Sequence, residues 1–276
     1  MSTILIVAQK EFRDGLRNRW VLAISLMLGL LAIGIAYFGA AASGSVGVTS
    51  LPTTIVSLSS LAVFLIPLIA LLLAYDAVVG EQEQGTLLLL LTYPLQRRQL
   101  LLGKFFGHGL ILAVATLLGF GVAGLIIAIG ADTITPLELL RSLGLFIVSA
   151  ILLGWAFIAL AYLISASVQE KSRAAGLALL VWFGFVLVFD LALLALLVGS
   201  DAATAGSWLP YLLLLNPTDC FRLLNLTGFE AAQAYSGLMS VASAGIARVE
   251  LLLVTLLVWI AVPLGLAVWS FGRRQV

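Results

Sequence analysis

The sequence predicts an all-α integral membrane protein that crosses the bilayer six times. The first observation is composition: of the 276 residues, 62% are hydrophobic and 10% are charged, and the mean hydropathy is +1.19. A chain of this length cannot bury so many apolar side chains in one soluble core. The second is that its uncharged runs exceed the roughly 20 residues that span a hydrocarbon layer of about 30 Å. The third is that the basic residues between those runs fall mostly on one side of the predicted membrane.

The first element, residues 1–19, is predicted to be a helix that lies in the membrane interface. In "ILIVAQKEFRDGLRNRW" the apolar and the basic residues separate onto two faces at helical spacing. The apolar face would consist of Ile4, Val7, Ala8, Phe12 and Leu16, and the basic face of Lys10, Arg13 and Arg17. A disordered tail is the alternative interpretation.

Six spans follow, at about 20–42, 53–76, 104–130, 141–165, 174–199 and 249–271. The first uncharged run is long enough for two of them, and "SGSVGVTSLPTT" divides it with the Gly, Ser and Pro content of a turn. A cleaved signal peptide is the competing interpretation of the first span, but an apolar stretch of about 23 residues is too long for one. Residues 1–276 are therefore predicted to form one transmembrane domain, with segment 200–248 on the external side.

Lys and Arg are distributed unevenly between the two sides of the predicted membrane. One side holds 11 of the 14 basic residues, near both termini and in two connections. The other side holds only Arg141, Arg222 and Arg248, together with six acidic residues. Because basic residues favour the cytoplasmic side, both termini are predicted to be cytoplasmic. We interpret the basic residues as membrane-edge anchors, and we expect no binding of nucleic acid.

Residues with catalytic or metal-binding chemistry are few and scattered. The one cysteine, Cys220, cannot form an internal disulfide. No GxxxxGK[ST], HExxH, CxxC or GxSxG motif occurs in the sequence. Soft metal ions favour clusters of Cys, Met and His, whereas Met27, Met239, Cys220 and His108 lie in different regions. We therefore expect no catalytic site, no metal site and no cofactor bound by this chain.

Asp190 is the one residue with a charged side chain that lies clearly deep in the predicted spans, and His108 lies about 6 Å from the cytoplasmic boundary. Asp190 is about 14 Å from the outer end of its helix, at 1.5 Å per residue. Two interpretations of Asp190 stay open: a functional or interface role, and a hydrogen bond to a neighbouring helix. For His108 a satisfied interfacial side chain is the favoured interpretation. The glycines of "GKFFG" at 103–107 have the spacing of a close helix contact.

A polar segment with a leucine run, "GEQEQGTLLLLLTYPLQRRQLLLGK", connects the second and third spans. Helix formers at 81–84 and 86–92 predict a helix that leaves the membrane, breaks near Gly85 and ends at Pro94. Such a short surface helix has no core of its own, so its apolar face needs lipid or a protein groove to cover it. Residues 80–97 are therefore predicted to form a coupling element.

The same segment resembles the cytoplasmic loop of ABC-2 type permeases, in which an acidic pair precedes Gly-Thr-Leu, a Pro, a basic residue and a Gly-Lys. The stretch "VAQKEFRDGLRNRW" is similar to the amphipathic connecting helix of that family, and "LLNPTDCF" to its external Asn-Pro segment. The resemblance covers the whole chain. It implies a type V exporter-like permease in the bacterial inner membrane, in contact with lipid. It also implies a homodimer that works with a separate ABC ATPase chain, to which ATP and Mg²⁺ bind.

The resemblance also implies contacts with two partner proteins. ATPase contact is expected from the coupling element and from the loop "SVQEKSRAAG" at 167–176. The predicted coupling residues are Glu81, Glu83, Leu87, Leu89, Leu90, Tyr93, Arg97, Glu170 and Lys171. A solvated charged loop is the alternative for the charged residues of the coupling element. The predicted docking residues for a periplasmic protein are Phe221, Leu223, Leu224 and Phe229, with a lipid-facing surface as the alternative.

The chain from "KEFRDGLRNRWVLAIS" to the terminal "FGRR" most resembles the family members that serve the maturation of nitrous oxide reductase. This resemblance implies that cytoplasmic ATP hydrolysis is coupled to copper or sulfur delivery for the copper site of that periplasmic enzyme. Because the residues supply no path for copper, a mechanical role is preferred, and export of a small sulfur species stays open. The alternatives are an ABC-2 exporter of a lipid or hydrophobic small molecule, and a passive membrane scaffold.

Overall fold

The computed structural model describes residues 2–17, 19–38, 51–93, 95–130, 135–199, 211–226 and 248–274. The first six helices are α1 (Thr3–Arg17), α2 (Trp20–Phe38), α3 (Leu51–Ala74), α4 (Val79–Glu83), α5 (Thr86–Thr92) and α6 (Arg97–Gly130). They are followed by α7 (Pro136–Ser167), α8 (Lys171–Phe183), α9 (Phe189–Gly199), α10 (Pro217–Leu226) and α11 (Val249–Arg273). A π-helical turn, Gly184–Val188, joins α8 to α9.

Five helical segments in the described regions are long and apolar enough to cross a membrane: α3 with α4, α6, α7, α8 with α9, and α11. A sixth crossing is counted when the bent pair of α1 and α2 is taken as one span. The predicted all-α, multi-pass architecture is therefore confirmed. Residues 43–50 of the turn predicted between the first two spans lie outside the described residues.

Two helices extend further than the apolar runs that predicted them. The third span was expected to begin near 104, but α6 begins at Arg97 because "RRQ" consists of good helix formers. The fourth was expected to begin near 141, but α7 begins at Pro136. Thr135 caps this helix, since its side chain accepts a hydrogen bond from the backbone N–H of Glu138 at 3.3 Å. The connecting loop predicted at 167–176 is reduced to residues 168–170.

Helix α1 packs along α6 and brings the N-terminal segment against the bundle. A Cβ atom at Gly103 would lie 2.6 Å from Val7 Cβ, and one at Gly107 would lie 2.5 Å from Glu11 Cβ. These two glycines therefore let α1 approach closely, as their spacing predicted. Val7 packs against the apolar core, as does Phe12 on the same face of α1.

Helix α7 lies at the centre of the bundle and contacts α3, α6, α10 and α11. Its small residues, among them Ala150, Gly154 and Ala159, allow these neighbours to pack closely. Large aromatic side chains fill the remaining space, and Tyr162 and Phe157 are fully buried. The α8–α9 segment differs from α7, because most of its apolar side chains are exposed or only partly buried within the described structure.

Candidate functional site

One end of the bundle, called here the basic end, carries the α4–α5 hairpin and is defined by Lys104, Lys171 and Arg274. The backbone N–H groups of Val78 and Val79 begin the hairpin and donate to Ser165 Oγ of α7 at 3.0 and 3.1 Å. Gly85 has a φ of 70°, a left-handed conformation that glycine adopts without strain. Gly85 separates α4 from α5, at the position where the sequence predicted a break.

A buried pair of salt bridges ties this hairpin to two other helices. Lys104 Nζ on α6 lies 2.7 Å from Glu81 Oε1 on α4 and 3.2 Å from Glu11 Oε1 on α1. Lys104 is only 5% exposed, so the ammonium joins the two carboxylates away from water. Removing one member of such a group leaves an uncompensated buried charge, which is strongly destabilising. Lys104 therefore fixes the position of α4 relative to α1 and α6.

Glu11 is surrounded by further polar groups. Lys10 Nζ on the same helix lies 3.1 Å from Glu11 Oε1, so the ammonium groups of Lys10 and Lys104 both approach this carboxylate. His108 Nδ1 lies 2.8 Å from the Tyr162 hydroxyl, and His108 Nε2 lies 4.0 Å from Glu11 Oε2. The lone histidine is thus held by its neighbours, which agrees with the interpretation that the sequence favoured.

The connection between α7 and α8 joins the same hairpin. Lys171 Nζ lies 2.7 Å from Asp76 Oδ2, and the backbone N–H of Lys171 donates to Glu83 Oε1 at 2.6 Å. The Glu83 carboxylate thus lies at the N-terminus of α8, where a negative charge is favourable. Segments 80–97 and 167–176 were predicted separately as contact regions, and these bonds join them into one surface.

The C-terminal end of α11 is attached to the same region. Arg97, the first residue of α6, donates to the carbonyl oxygen of Phe271 at 3.2 Å and also to that of Arg274. Arg274 donates to the carbonyl oxygens of Ser165, at 3.1 Å, and Val168. Carbonyl groups at the C-terminal ends of helices favour such cationic donors. The ends of α7 and α11 and the start of α6 are therefore held together.

The surface that α5 presents to its surroundings is apolar. Leu88, Leu89 and Tyr93 are 57%, 65% and 64% exposed, respectively. Leu87 is 1% exposed and lies in the core, and Leu90 packs partly against the same core. One face of α5 is thus anchored in the bundle while the other face is open. The term "α5 face" is used below for the open face formed by Leu88, Leu89 and Tyr93.

The residues predicted for coupling occupy different positions around this surface. The exposed ones are Glu83, Leu89, Tyr93 and Glu170, and Lys171 is partly exposed. The more buried ones are Glu81, Leu87, Leu90 and Arg97. Leu87 is corrected from a contact residue to a core residue, because its side chain faces the bundle. Glu81 and Arg97 bond within the chain, so each holds the hairpin or α6 in place and is not a solvated loop charge.

Helix α10 lies at the opposite end of the bundle, and the docking role predicted for its residues is wrong. Phe221, Leu223 and Leu224 were predicted as docking residues, but they are 0%, 4% and 0% exposed. Their helix packs into a niche formed by α3, α7 and α11, so these side chains stabilise the fold and are not available to a partner. Phe229 lies outside the described residues.

A polar network holds α10 in this niche. The Asn216 side chain caps the helix by accepting from the Thr218 N–H at 3.0 Å. The same side chain donates to the carbonyl oxygen of Phe185, in the π-helical turn, at 2.9 Å. Arg222 Nη1 lies 2.9 Å from Asp190 Oδ2 and 3.1 Å from Asp219 Oδ1. The alternative in which Asp190 bonds a neighbouring helix is therefore the one observed.

Sequence reasoning missed Glu11, Leu88 and the bridging position of Lys104. The spacing of Gly103 and Gly107 was the available indication, because it marks the surface of α6 on which α1 lies. The two carboxylates that meet there are far apart in sequence, so no local pattern connects them. Within the described ranges, no group of three or more His, Cys, Asp or Glu side chains is arranged to hold a metal ion.

Comparison with known proteins identifies the class of this membrane protein. Residues 5–276 match the description "ABC-2 family transporter protein". The chain belongs to this family and is a permease subunit, the transmembrane component of an ABC transporter.

Two relatives match over essentially their full length. The chain is 58% identical to the "Probable ABC transporter permease protein NosY" of Stutzerimonas stutzeri over 274 residues, which is 99% of each chain. It is 57% identical to a protein of the same description from Pseudomonas aeruginosa over 276 residues, which is 100% of each chain.

Proposed function

We propose that the basic end faces the cytoplasm and receives force from an ABC ATPase on a separate chain. The observation that carries this proposal is the apolar α5 face, displayed on a hairpin that is bonded to α1, α6 and α8. An exposed apolar helix face of this kind fits a groove on a partner. The excess of Lys and Arg at this end supports a cytoplasmic orientation, with both termini inside.

The bonds of the hairpin determine how such a force would travel. Because Lys104 joins α4 to α6 and α1, pressure on α5 would move these helices together instead of bending the hairpin alone. The bonds from Glu83 and Asp76 to Lys171 would pass the same movement to α8. Helix α6 has 34 residues and extends about 51 Å, so a small tilt at the basic end is amplified at the opposite end.

The working unit in this proposal is a homodimer. Five or six crossings in one chain form half of a usual ABC transporter, so a second copy completes the translocation unit. The exposed apolar side chains of α8 and α9, among them Leu180, Leu191 and Leu196, support further packing in the membrane.

For the biological role, we propose a complex in which this chain works with a NosF-like ATPase and a periplasmic NosD-like protein to supply the copper site of nitrous oxide reductase. The full-length similarity to proteins described as NosY supports this proposal. The chain's part is mechanical, because its soft-ligand residues are separated: His108 lies at the basic end, and Cys220 is buried in α10. The cargo itself, a copper or sulfur species, is handled by the periplasmic partner.

The coupling role is tested with the double variant Leu88→Asp/Leu89→Asp. Two carboxylates on the α5 face would have to be desolvated in the ATPase groove, at a cost of several kcal/mol. We expect the variant to insert normally but to lose co-purification of the ATPase subunit from detergent extracts. The matched control is Leu137→Asp/Leu140→Asp, which changes two leucines of similar exposure at the opposite end. Full ATPase retention by the α5 variant would contradict the proposal.

The maturation role is tested in a strain that lacks this chain and is complemented with either the wild type or the α5 variant. The copper content of nitrous oxide reductase purified from each strain is the measurement. We expect full copper content with the wild type and loss with the variant. Normal copper content without the chain would contradict the maturation role. In that case, ATPase activity stimulated by added lipid or hydrophobic compounds in liposomes would identify the exporter alternative.

A further inference from the structure

An apolar groove of about 670 Å³ runs along α2 and α6 on the outside of the bundle. One wall is a stripe on α2 that includes Leu22, Leu26 and Leu30, all of which are more than half exposed. The other wall is formed by Leu118 and Val122 of α6, which follow each other by one helical turn. The groove therefore opens toward the surroundings of the bundle and not toward its core.

The floor of the groove is made by small residues at the crossing of the two helices. Ser25 and Gly29 of α2 line it, and the Ser25 hydroxyl is already bonded to the carbonyl oxygen of Val21 at 2.7 Å. A Cβ atom at Gly119 of α6 would lie 2.8 Å from Leu28 Cβ, so the backbones approach closely at this point. The close approach and the small side chains together leave a channel between the two leucine-rich walls.

The mouth of the groove is cationic. Arg19 lines the end nearest to α1, and its guanidinium forms no ion pair or hydrogen bond with the described part of the chain. Its φ of 56° places it in the left-handed region, at the junction where the chain turns from α1 into α2. Leu16, near the end of the preceding helix, lines the groove beside Arg19.

The dimensions of the groove match one leaflet of a bilayer. From Arg19 to Ile33 the α2 backbone rises about 21 Å at 1.5 Å per residue, somewhat more than half of a hydrocarbon layer of about 30 Å. An extended acyl chain has a comparable length. A cation at one end and an apolar channel of this length match the two parts of a phospholipid, a phosphate headgroup and a hydrocarbon tail.

We propose that this groove binds one anionic phospholipid from the leaflet at the basic end, with its phosphate on Arg19 and one acyl chain between α2 and α6. The lipid would hold the α1–α2 junction at the membrane surface. This site is independent of the ATPase contact, because the α5 face does not contribute to it.

The test compares lipid retention by the full chain in detergent, measured by native mass spectrometry after addition of phosphatidylglycerol or phosphatidylcholine. We expect the wild type to retain the anionic lipid about five-fold more strongly, the effect of one cation at a membrane surface. Arg19→Asn removes the charge with a residue that tolerates the left-handed conformation, so it should abolish this preference. Arg98→Gln is the matched control, since it removes a charge at the basic end far from the groove, and it should retain the preference.

The groove itself is tested by filling it. Ser25→Phe should lower retention of both lipids, because its ring would occupy the channel. Leu26→Ala removes an exposed wall residue instead of filling the groove. It should also lower retention of both lipids, because the acyl chain loses apolar contact, and it replaces Ser25→Phe if that variant fails to fold. Unchanged retention in a folded groove variant would overturn the proposal, as would an Arg19→Asn variant that matches Arg98→Gln. Displacement of the bound lipid by inorganic phosphate would show that the site holds a phosphate without an acyl chain, which would likewise overturn the proposal. A folded groove variant that changes from dimer to monomer with unchanged lipid retention would show that the groove is a contact between two copies of the chain, which would also overturn it.

Discussion

The two ends of the bundle both bury polar side chains, but these side chains connect different parts of the chain. At the basic end, Lys104 joins α6 to α1 and α4, and Arg97 and Arg274 join the start of α6 to the ends of α7 and α11. At the opposite end, the bonds of Asn216 and Arg222 converge on α10 and its immediate neighbours. The basic end is cross-linked across the bundle, whereas the opposite end secures one short helix in a niche.

This difference indicates how each end responds to force. A hairpin that is bonded to α1, α6 and α8 can move only if those helices move with it, which suits an end that receives mechanical input. Helix α10 is held mainly by burial, and its polar bonds fix its orientation. Loss of one bond there should loosen α10 alone, while loss of Lys104 should disturb three elements together.

The largest expected effect comes from breaking the cross-linked end. Lys104→Met removes the cation that Glu81 contacts and leaves Glu11 with only the largely exposed Lys10, so the expected loss of unfolding free energy is about 3–5 kcal/mol. The measurement is unfolding of the purified chain in detergent, followed by circular dichroism.

The control for this prediction removes all three charges. In Glu11→Gln/Glu81→Gln/Lys104→Met no uncompensated charge remains, so most of the lost stability should return. The single variant should also lose ATPase co-purification, because the α5 face is no longer held in position. Equal stability of Lys104→Met and the wild type would show that the ion pairs do not hold the hairpin.

The hairpin was predictable from sequence because its determinants are local. Gly85 marks the break between α4 and α5, and the leucine run with its polar flanks marks a surface helix. The direction of each leucine was not predictable, since Leu87 and Leu88 are neighbours in the run and only packing decides which of them is buried. The multi-pass helical architecture was predictable from the uncharged runs, because a helix that crosses a membrane requires them.

The two polar networks were not predictable for a different reason. Glu11, Glu81 and Lys104 come from three separate helices, and Asp190 meets Arg222 only because α10 folds into its niche. The amphipathic pattern of α10 predicts one apolar face, but it does not distinguish a helix lying on the membrane surface from one packed among α3, α7 and α11. This ambiguity led to the prediction that Phe221, Leu223 and Leu224 bind a partner, which their burial shows to be wrong.

A smaller effect is expected from loosening the opposite end. Asn216→Ala removes the cap of α10 and the bond to Phe185, and it leaves buried groups without partners. The expected cost is about 1–3 kcal/mol. Detergent unfolding should show this loss, while ATPase co-purification should stay normal because the basic end is unchanged. Leu215→Ala is the control, since its side chain is exposed. Loss of ATPase binding in Asn216→Ala would contradict the separation of the two ends.

The smallest effect is expected from an exposed ion pair at the basic end, Glu170 with Arg173. Their side chains lie 2.9 Å apart but are 53% and 71% exposed, so water screens the attraction. Arg173→Gln should change the unfolding free energy by only about 0–1 kcal/mol, and added salt should reduce even that difference. The same detergent unfolding experiment, repeated at low and high salt, provides the measurement. If Arg173→Gln destabilised the protein as much as Lys104→Met, the stability of the basic end would depend on the number of its ion pairs and not on their burial. We expect this small value because a salt bridge stabilises the fold here only when it is buried and joins separate helices. The salt bridges of Lys104 meet both conditions, and that of Arg173 meets neither.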